Sequence, residues 1–253
     1  PHTSSRRQRQ MCIRDRELPA TFFVPGWVAE HRTGPVEAIQ ASGAEIAHHG
    51  YLHKWIAPDD PAGEEEELML GLEALDRAIG IRPKGYRSPA GETSPNLVAL
   101  LAREGFQYDS SMMDDVNPYR PRLPGIERPP VELPWHWSLD DAPYMLFGIK
   151  SQRPILPNEH VLSIWCAEFD AIREWGGLIN LVMHPQTIGR PSRLTLLREF
   201  IAHTRRYDDV WYATGSDVAT HWAENVEASP HHRTDAVSPF LDDSHALHHH
   251  PRR

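Results

Sequence analysis

The segment Ala44-Glu45-Ile46-Ala47-His48-His49-Gly50-Tyr51-Leu52-His53 joins a short apolar strand pattern to a histidine-rich turn. Similar apolar runs recur from Pro19 onward, and segments with helical periodicity separate most of them. Strands that alternate with helices are typical of a parallel sheet covered by helices, so the sequence predicts an α/β fold. Strands are predicted at residues 20–24, 44–47, 84–87, 106–109, 131–133, 178–183 and 210–213.

Capping residues locate the helices between these strands. Asp60 can cap a helix that has Pro61 in its first turn, and Gly80 can end it. Leu68 and Leu72 lie on one face of this helix. Three further helices are predicted to start at about residues 94, 159 and 192 and to end near residues 105, 175 and 206.

The composition excludes several classes of protein. The chain has 253 residues, with 26 basic and 35 acidic side chains and a net charge of −9. This acidic balance argues against a nucleic-acid partner or an anionic membrane surface. Two cysteines are too few for a disulfide framework, and no apolar run is long enough to cross a membrane. Without a recognisable secretory signal, we expect a cytoplasmic location for the chain as written; the sequence does not predict an oligomeric state.

The two ends differ from the rest of the chain. Residues 1–17 are rich in arginine and lack an apolar pattern, and we predict a non-native or disordered segment there. Residues 224–253 are polar and rich in proline and histidine, and we predict a disordered tail. The domain is therefore predicted at residues 18–223. Within it, the proline-rich segment 118–134 is predicted to be a long ordered loop.

A histidine pair is the first candidate for chemistry. His49 and His53 are four residues apart, so one helical turn would project both imidazoles to the same side, as two ligands of one metal ion require. A loop whose histidines bond to the backbone would explain the same pattern.

Other polar residues follow different predicted strands. Arg87 ends one strand and could hold a carboxylate through two hydrogen bonds, and His184 ends another and could transfer a proton. Asp109, Asp140 and Asp141 also follow strands and could orient a histidine. Because the carboxyl ends of parallel strands lie on one face, these side chains are predicted to meet there with His49.

Several motifs together resemble the NodB-homology polysaccharide deacetylases of carbohydrate esterase family four, in the branch that includes peptidoglycan deacetylases and allantoinase. They occur in the expected order between residues 19 and 222. The matching segments are Thr21-Phe22-Phe23-Val24-Pro25-Gly26, His49-Gly50-Tyr51-Leu52-His53, Arg87-Ser88-Pro89, Trp137-Ser138-Leu139-Asp140-Asp141 and Leu181-Val182-Met183-His184. The resemblance implies a distorted (β/α) barrel.

The resemblance also implies roles for individual residues. His49 and His53 would bind a divalent metal, usually zinc, and His184 would be the general acid of amide hydrolysis. Arg87 would steady the catalytic base, and Asp140 would tune the catalytic histidine. Trp137, Pro89 and Tyr51 are the candidate substrate-binding residues.

The chain departs from the family at two points. An Asp-Asp motif on the family's first strand supplies the base and a third metal ligand, but no such pair precedes Thr21. We therefore expect a barrel that lacks its first strand, weak metal binding and poor hydrolysis. The second departure is Ala90, where many members carry an aromatic residue, and it leaves the substrate class open.

Three functions are compatible with these motifs. The first is metal-dependent hydrolysis of a C–N bond in an N-acetylated polysaccharide or oligosaccharide. The second is opening of a small cyclic ureide or imide, as in allantoinase-like relatives. The third is non-catalytic carbohydrate binding, which the missing Asp-Asp motif favours and the retained His49, His53, Arg87 and His184 oppose.

Overall fold

The computed structural model of the protein describes residues 18–148 and 153–227. The strands are β1 (Thr21–Val24), β2 (Glu45–His48), β3 (Gly85–Tyr86), β4 (Tyr108–Asp109) and β5 (Val131–Glu132). The α-helices are α1 (Gly26–His31), α2 (Thr33–Gln40), α3 (Pro61–Ile79), α4 (Leu97–Arg103), α5 (Ala142–Met145), α6 (Asn158–Trp175), α7 (Pro185–Ile188), α8 (Pro191–Thr204) and α9 (Gly215–His221). Short 3-10 turns lie at Pro89–Gly91 and Trp137–Leu139, and a π-helical turn, Trp222–Val226, follows α9.

The strands form one parallel sheet in the order β1-β2-β3-β4-β5. Its order follows the sequence, so each connection leaves one strand at its carboxyl end and returns to the start of the next. This arrangement confirms the predicted parallel α/β fold. Within the described residues the sheet is open, with β1 and β5 at its edges, rather than a closed barrel.

Helix α3 shows how local sequence signals set the fold. The Asp60 side chain accepts a hydrogen bond from the Gly63 backbone at 2.9 Å, and Gly80 ends the helix at a positive φ of 65°. Leu68 and Leu72 are buried with Tyr86 of β3. The predicted cap, apolar face and stop residue of this helix are therefore all confirmed.

A second core lies between α6 and α8. Trp165 and Phe169 of α6 are fully buried and meet the ring of Phe200 edge to face. Gly176 adopts a positive φ of 75° and ends α6 where the sequence predicted. Both helices were predicted from their apolar periodicity, and the structure confirms them.

Two predicted strands are absent from the sheet. Residues 178–183 are half-buried, and their ladder contact is one parallel bridge, Asp140↔Val182. The Leu178 backbone N–H donates to the Val116 carbonyl (2.7 Å), and the Val182 N–H donates to that of Leu139 (2.8 Å). Residues 210–213 likewise form no strand. The prediction was wrong because an apolar run becomes a strand only where neighbouring backbone completes its ladder.

The predicted tail begins too early. Residues 224–226 belong to the π-helical turn. The next residue, Glu227, forms an ion pair with Arg120, with 2.6 Å between Glu227 Oε1 and Arg120 Nε. This pair ties the segment to the 118–134 loop, so an ordered helix end replaces the predicted disorder at 224–227. The predictions for residues 1–17 and 228–253 fall outside the described residues.

The described helices can also be compared with the requirements of a bilayer. In residues 18–148 and 153–227, no helix combines the length and the apolar character needed to cross a membrane.

Candidate active site at the carboxyl edge of the sheet

Two of the candidate polar residues, His49 and Arg87, lie at the carboxyl ends of strands, as predicted. His49 follows β2, Arg87 follows β3, and Ser110 follows β4. His184 ends the extended segment that is bridged to Asp140. The Arg87 carbonyl oxygen accepts a hydrogen bond from His49, and the Arg87 side chain bonds to Asn180 in the segment that leads to His184.

The two adjacent histidines have different environments. His48 is buried, and its Nε2 donates to the Leu68 carbonyl (3.0 Å) while its Nδ1 accepts from the Gly50 N–H (3.1 Å). Burial lowers the pKa of His48 to about 4, so the ring is neutral at physiological pH. Because both ring nitrogens are already bonded, His48 is a structural residue.

His49 instead has one nitrogen committed and the other available for a ligand. Its Nδ1 donates to the Arg87 carbonyl oxygen at 2.6 Å, which leaves the unprotonated Nε2 available to bind a metal ion. Burial lowers the pKa of His49 to about 3, so a proton does not compete for this nitrogen near neutral pH. Neutral imidazole is the form that binds metals.

The His49 and His53 rings meet edge to face with centroids 4.9 Å apart. The predicted pairing is therefore present, but the predicted helical turn is not. His53 adopts a left-handed φ of 59° and Gly50 a φ of 70°, so the chain turns sharply between them. A left-handed backbone is costly for a residue with a side chain, so surrounding contacts must hold the loop in this shape.

Arg87 is buried and held mainly by neutral groups. Its Nε donates to the Ser110 carbonyl (2.9 Å), and its Nη2 donates to Ser110 Oγ (2.6 Å) and Asn180 Oδ1 (3.1 Å). The guanidinium carbon lies 4.3 Å from the centre of the Phe23 ring. The predicted two-bond grip on a carboxylate is therefore replaced by bonds to serine and asparagine. Burial lowers the pKa of Arg87 to about 10, so it remains cationic.

His184 is bonded to a buried aspartate. Its Nδ1 donates to Asp141 Oδ1 at 2.7 Å, and Asp141 also accepts from the backbone N–H groups of His184 and Ile188. This bond raises the pKa of His184 and leaves Nε2 free to exchange a proton. The sequence assigned the tuning role to Asp140, but Asp141 makes the direct bond, and Asp140 Oδ1 lies 3.7 Å from Nδ1.

Asp140 lies beside this pair in a different environment. Its Oδ1 accepts from the Ala142 N–H at 2.6 Å, and burial raises its pKa to about 6. Asp140 and Asp141 differ because the backbone turns between them: Asp140 bridges to Val182, while Asp141 precedes helix α5. Because both carboxylates lie near His184 Nδ1, at 2.7 Å for Asp141 and 3.7 Å for Asp140, sequence alone could not tell which of them makes the direct bond.

Two groups could hold a metal ion. Within the described ranges, one group brings three potential ligands together. The carboxylate oxygens of Asp140 and Asp141 and a ring nitrogen of His184 lie within 4.8 Å of one another. The carboxylate of Asp141 already accepts hydrogen bonds from N–H groups, and His184 Nδ1 carries the proton that it donates to Asp141, so neither is free to bind a metal ion. His49 and His53 offer two imidazoles, which suit zinc, but they lack a third such ligand in this part of the chain. Among the described residues, the histidine pair is therefore the better candidate for a metal site.

The three substrate-binding candidates lie in different environments. The Tyr51 hydroxyl donates to Glu30 Oε2 at 2.9 Å, which anchors its ring on helix α1. Pro89 is buried beneath Gly50. Both residues support the loop, and their substrate-binding role stays a prediction. Trp137 is 38% exposed and packs edge to face on Trp135, so it remains a candidate wall of a substrate groove.

Sequence reasoning missed two residues that hold Arg87. Asn180 joins the extended segment to the sheet: its Nδ2 donates to Ser110 Oγ at 3.1 Å and to the Leu133 carbonyl at 3.2 Å. Ser110 Oγ donates to the same Leu133 carbonyl at 2.6 Å. One signal was present, since Asn180 is the polar residue inside an otherwise apolar run. A polar side chain in such a run needs a buried partner.

A buried carboxyl pair supports the neighbouring loop. Asp109 and Glu132 are partners in the register of β4 and β5, and both are buried. Asp109 Oδ1 accepts from Ser111 Oγ (2.6 Å), and Glu132 Oε1 accepts from the Met112 N–H (2.9 Å). Burial raises the pKa of Asp109 to about 7 and that of Glu132 well above its ordinary value. The pair therefore holds a proton near neutral pH.

Comparison with known proteins gives a consistent picture. A family model described as Polysaccharide deacetylase matches residues 9–108. The match begins inside segment 1–17, for which a non-native or disordered end was expected. A peptidoglycan deacetylase from Helicobacter pylori is 30% identical, over 80% of this chain and 78% of the relative.

Solved structures add two similar folds. A Mycobacterium smegmatis protein assigned to the polysaccharide deacetylases is 38% identical with a TM-score of 0.81, over 87% of this chain and 77% of that one. The Puue allantoinase is 26% identical with a TM-score of 0.76, over 90% of this chain and 74% of that one. Similarity at this level extends across the sheet and the helices that carry the candidate site.

Proposed function

Because the chain belongs to the polysaccharide deacetylase family and is a hydrolase of C–N bonds, we propose that it removes acetyl groups from N-acetylated amino sugars of a glycan. The similarity to a peptidoglycan deacetylase supports a polymeric or oligomeric substrate. The exposed Trp137 supports the same choice, because an aromatic face can pack against a sugar ring.

The observation that carries this proposal is the bond between His184 and Asp141. A buried carboxylate at 2.7 Å fixes the tautomer of His184 and raises its pKa, which favours the form that carries a proton on Nε2. Cleavage of an amide C–N bond needs such a donor, because an amine leaves poorly unless it is protonated. His184 would donate this proton to the sugar nitrogen, and acetate would be the other product.

His49 and His53 would hold the divalent metal ion, for which zinc is our choice. When bound, such an ion polarises the amide carbonyl and lowers the pKa of water at the site. The neutral state of His49 and its Nδ1 bond to the Arg87 carbonyl support this role, since they leave Nε2 ready to bind. With two described ligands, we expect affinity below that of a three-ligand site.

Arg87 contributes a fixed positive charge beside both histidine groups. Ser110 and Asn180 hold its guanidinium, so the charge need not reorganise during the reaction. We expect it to stabilise the negative charge that develops when water adds to the amide carbonyl.

A second function has one observation in its favour. The similarity to the Puue allantoinase supports hydrolysis of a small cyclic amide at the same site. The chemistry would be equivalent, because the ring C–N bond also needs a polarised carbonyl and a protonated nitrogen.

Parallel assays separate these functions. The zinc-supplemented protein would be given chitooligosaccharide, peptidoglycan fragments, allantoin and a cyclic imide, with His184→Ala as the matched control. We expect acetate release from the glycans that His184→Ala abolishes. Turnover of the cyclic compounds alone would replace the first function with the second, and binding of glycan without any turnover would favour a non-catalytic carbohydrate-binding protein.

A further inference from the structure

A buried acidic side chain outside the candidate site grips the loop that carries both candidate metal ligands. Glu67 lies in the second turn of α3, and only 3% of its surface is exposed. Its Oε2 accepts hydrogen bonds from the backbone N–H groups of Tyr51 (3.0 Å) and Leu52 (2.8 Å). These two residues lie between His49 and His53, so one carboxylate oxygen holds the centre of the loop.

The other oxygen of Glu67 faces a cation. Lys54 Nζ lies 3.1 Å from Glu67 Oε1 and immediately follows His53 in the sequence. Lys54 is half exposed, with 53% of its side chain accessible, so it balances the buried charge from the solvent side. The carboxylate thus joins both halves of the loop to α3.

The same face of α3 receives the start of the loop. His48 Nε2 donates to the Leu68 carbonyl, and a Cβ atom on Gly71 would lie 2.3 Å from that nitrogen and 2.8 Å from the Gly50 carbonyl oxygen. Only glycine at position 71 lets the loop approach the helix this closely. The loop therefore lies directly on the helix backbone, with Glu67 at its centre.

The loop would not keep this shape unaided. Gly50 and His53 both adopt left-handed φ values, and for His53 this conformation is unfavourable. A carboxylate that accepts two consecutive N–H groups fixes the intervening peptide, which determines where the following residue projects its side chain. Glu67 fixes the backbone at Tyr51 and Leu52 in this way, between the two imidazoles.

We infer that Glu67 is a positioning residue that sets the distance and orientation of the His49 and His53 imidazoles for one divalent cation. This inference rests on the proposed function, because it assigns Glu67 to the metal pair named there. Residues that orient metal ligands without touching the metal usually matter for affinity by about 10- to 100-fold.

The test compares Glu67→Ala and Glu67→Gln with Glu66→Ala, a change at the exposed neighbouring acid of the same helix. Cobalt(II) affinity and the visible spectrum of bound cobalt report the ligand geometry, and thermal unfolding reports the fold. Amide hydrogen exchange at Tyr51 and Leu52 reports the two hydrogen bonds that Glu67 accepts. His49→Ala identifies the cobalt bound at the histidine pair.

We expect Glu67→Ala to weaken cobalt binding by at least 10-fold, alter the spectrum and speed exchange at both amides, while Glu66→Ala changes none of these. Glu67→Gln should restore part of the affinity, because its amide oxygen can still accept both N–H groups; it also serves as the folded variant if Glu67→Ala unfolds. Wild-type affinity and spectrum in a folded Glu67 variant would overturn the inference while leaving the metal pair intact. Cobalt binding that is absent from the wild type, or that His49→Ala does not change, would instead refute the metal pair of the proposed function and the inference with it.

Discussion

At the scale of single residues, the bond between His184 and Asp141 is the feature on which the proposed chemistry depends. Asp141→Asn would replace the charged acceptor with an amide, which lowers the pKa of His184 and weakens control of its tautomer. We expect kcat to fall by about 10²- to 10⁴-fold, the range usually lost with an acid–base group. Steady-state acetate release measures it.

The pH dependence of activity shows in which direction Asp141 shifts the pKa of His184. A general acid works while it is protonated, so activity should decline as pH rises through the pKa of His184. Because Asp141 raises that pKa, Asp141→Asn should move the decline to lower pH. Asp140→Asn is the matched control; a larger shift in that variant than in Asp141→Asn would assign the tuning role to Asp140 after all.

At the scale of secondary structure, the carboxyl pair between β4 and β5 couples stability to pH. The pKa of Asp109 rises from 3.8 to about 7 in the folded protein because of burial. The folded state therefore holds its proton more tightly than the unfolded chain, and this stabilisation is complete below about pH 4 and lost as pH rises through about 7.

Asp109→Asn should remove the part of this dependence that Asp109 contributes, while Glu132 keeps its own. The asparagine amide keeps a donor toward Glu132 at every pH, so the free energy of unfolding should fall less between pH 5 and pH 8 than in the wild type. Urea denaturation at the two pH values measures the difference, with the exposed Asp59→Asn as control. Equal pH dependence in wild type and Asp109→Asn would show that the pKa of Asp109 is not raised in the folded protein.

The helix pair α6–α8 tests the second core. Trp165 is fully buried against Phe200, whereas Trp175 at the end of the same helix is 74% exposed. Trp165→Ala should lower the free energy of unfolding by about 3–5 kcal/mol, since it leaves a large cavity. Trp175→Ala should change it by less than about 0.5 kcal/mol. Similar losses in urea denaturation for the two variants would contradict this packing.

The elements also show what the sequence can and cannot predict. Caps and stop residues placed α3 and α6 accurately, because Asp60, Gly80 and Gly176 act through local backbone geometry. The segment 178–183 was predicted as a strand because its apolar run is local, but its hydrogen-bond partners, Val116 and Leu139, are distant in sequence. Periodicity carries no information about such partners.

At the scale of the whole molecule, parallel topology made part of the site predictable. Strand ends share one face, so the sequence alone was enough to predict that His49 and Arg87 lie together, whereas His184 follows a segment outside the sheet whose Asn180 bonds to Arg87. Their partners could not be predicted in this way: Ser110 and Asn180 bind Arg87 through contacts across 23 and 93 residues of sequence. The sequence likewise could not predict that Asp141, and not Asp140, bonds to His184, because this depends on the local backbone beside the bridge between Asp140 and Val182.

Family membership and the geometry of the site lead to one central claim, namely that the protein hydrolyses the acetamide C–N bond with His184 as the proton donor. The most direct measurement is acetate release from a defined N-acetylglucosamine oligomer by the zinc-supplemented protein and by its His184→Ala variant. We expect the wild type to release acetate, even if slowly. A folded His184→Ala variant that still binds the metal should release it at least 100-fold more slowly. No release by the zinc-loaded wild type, or equal release by the two proteins, would contradict the claim.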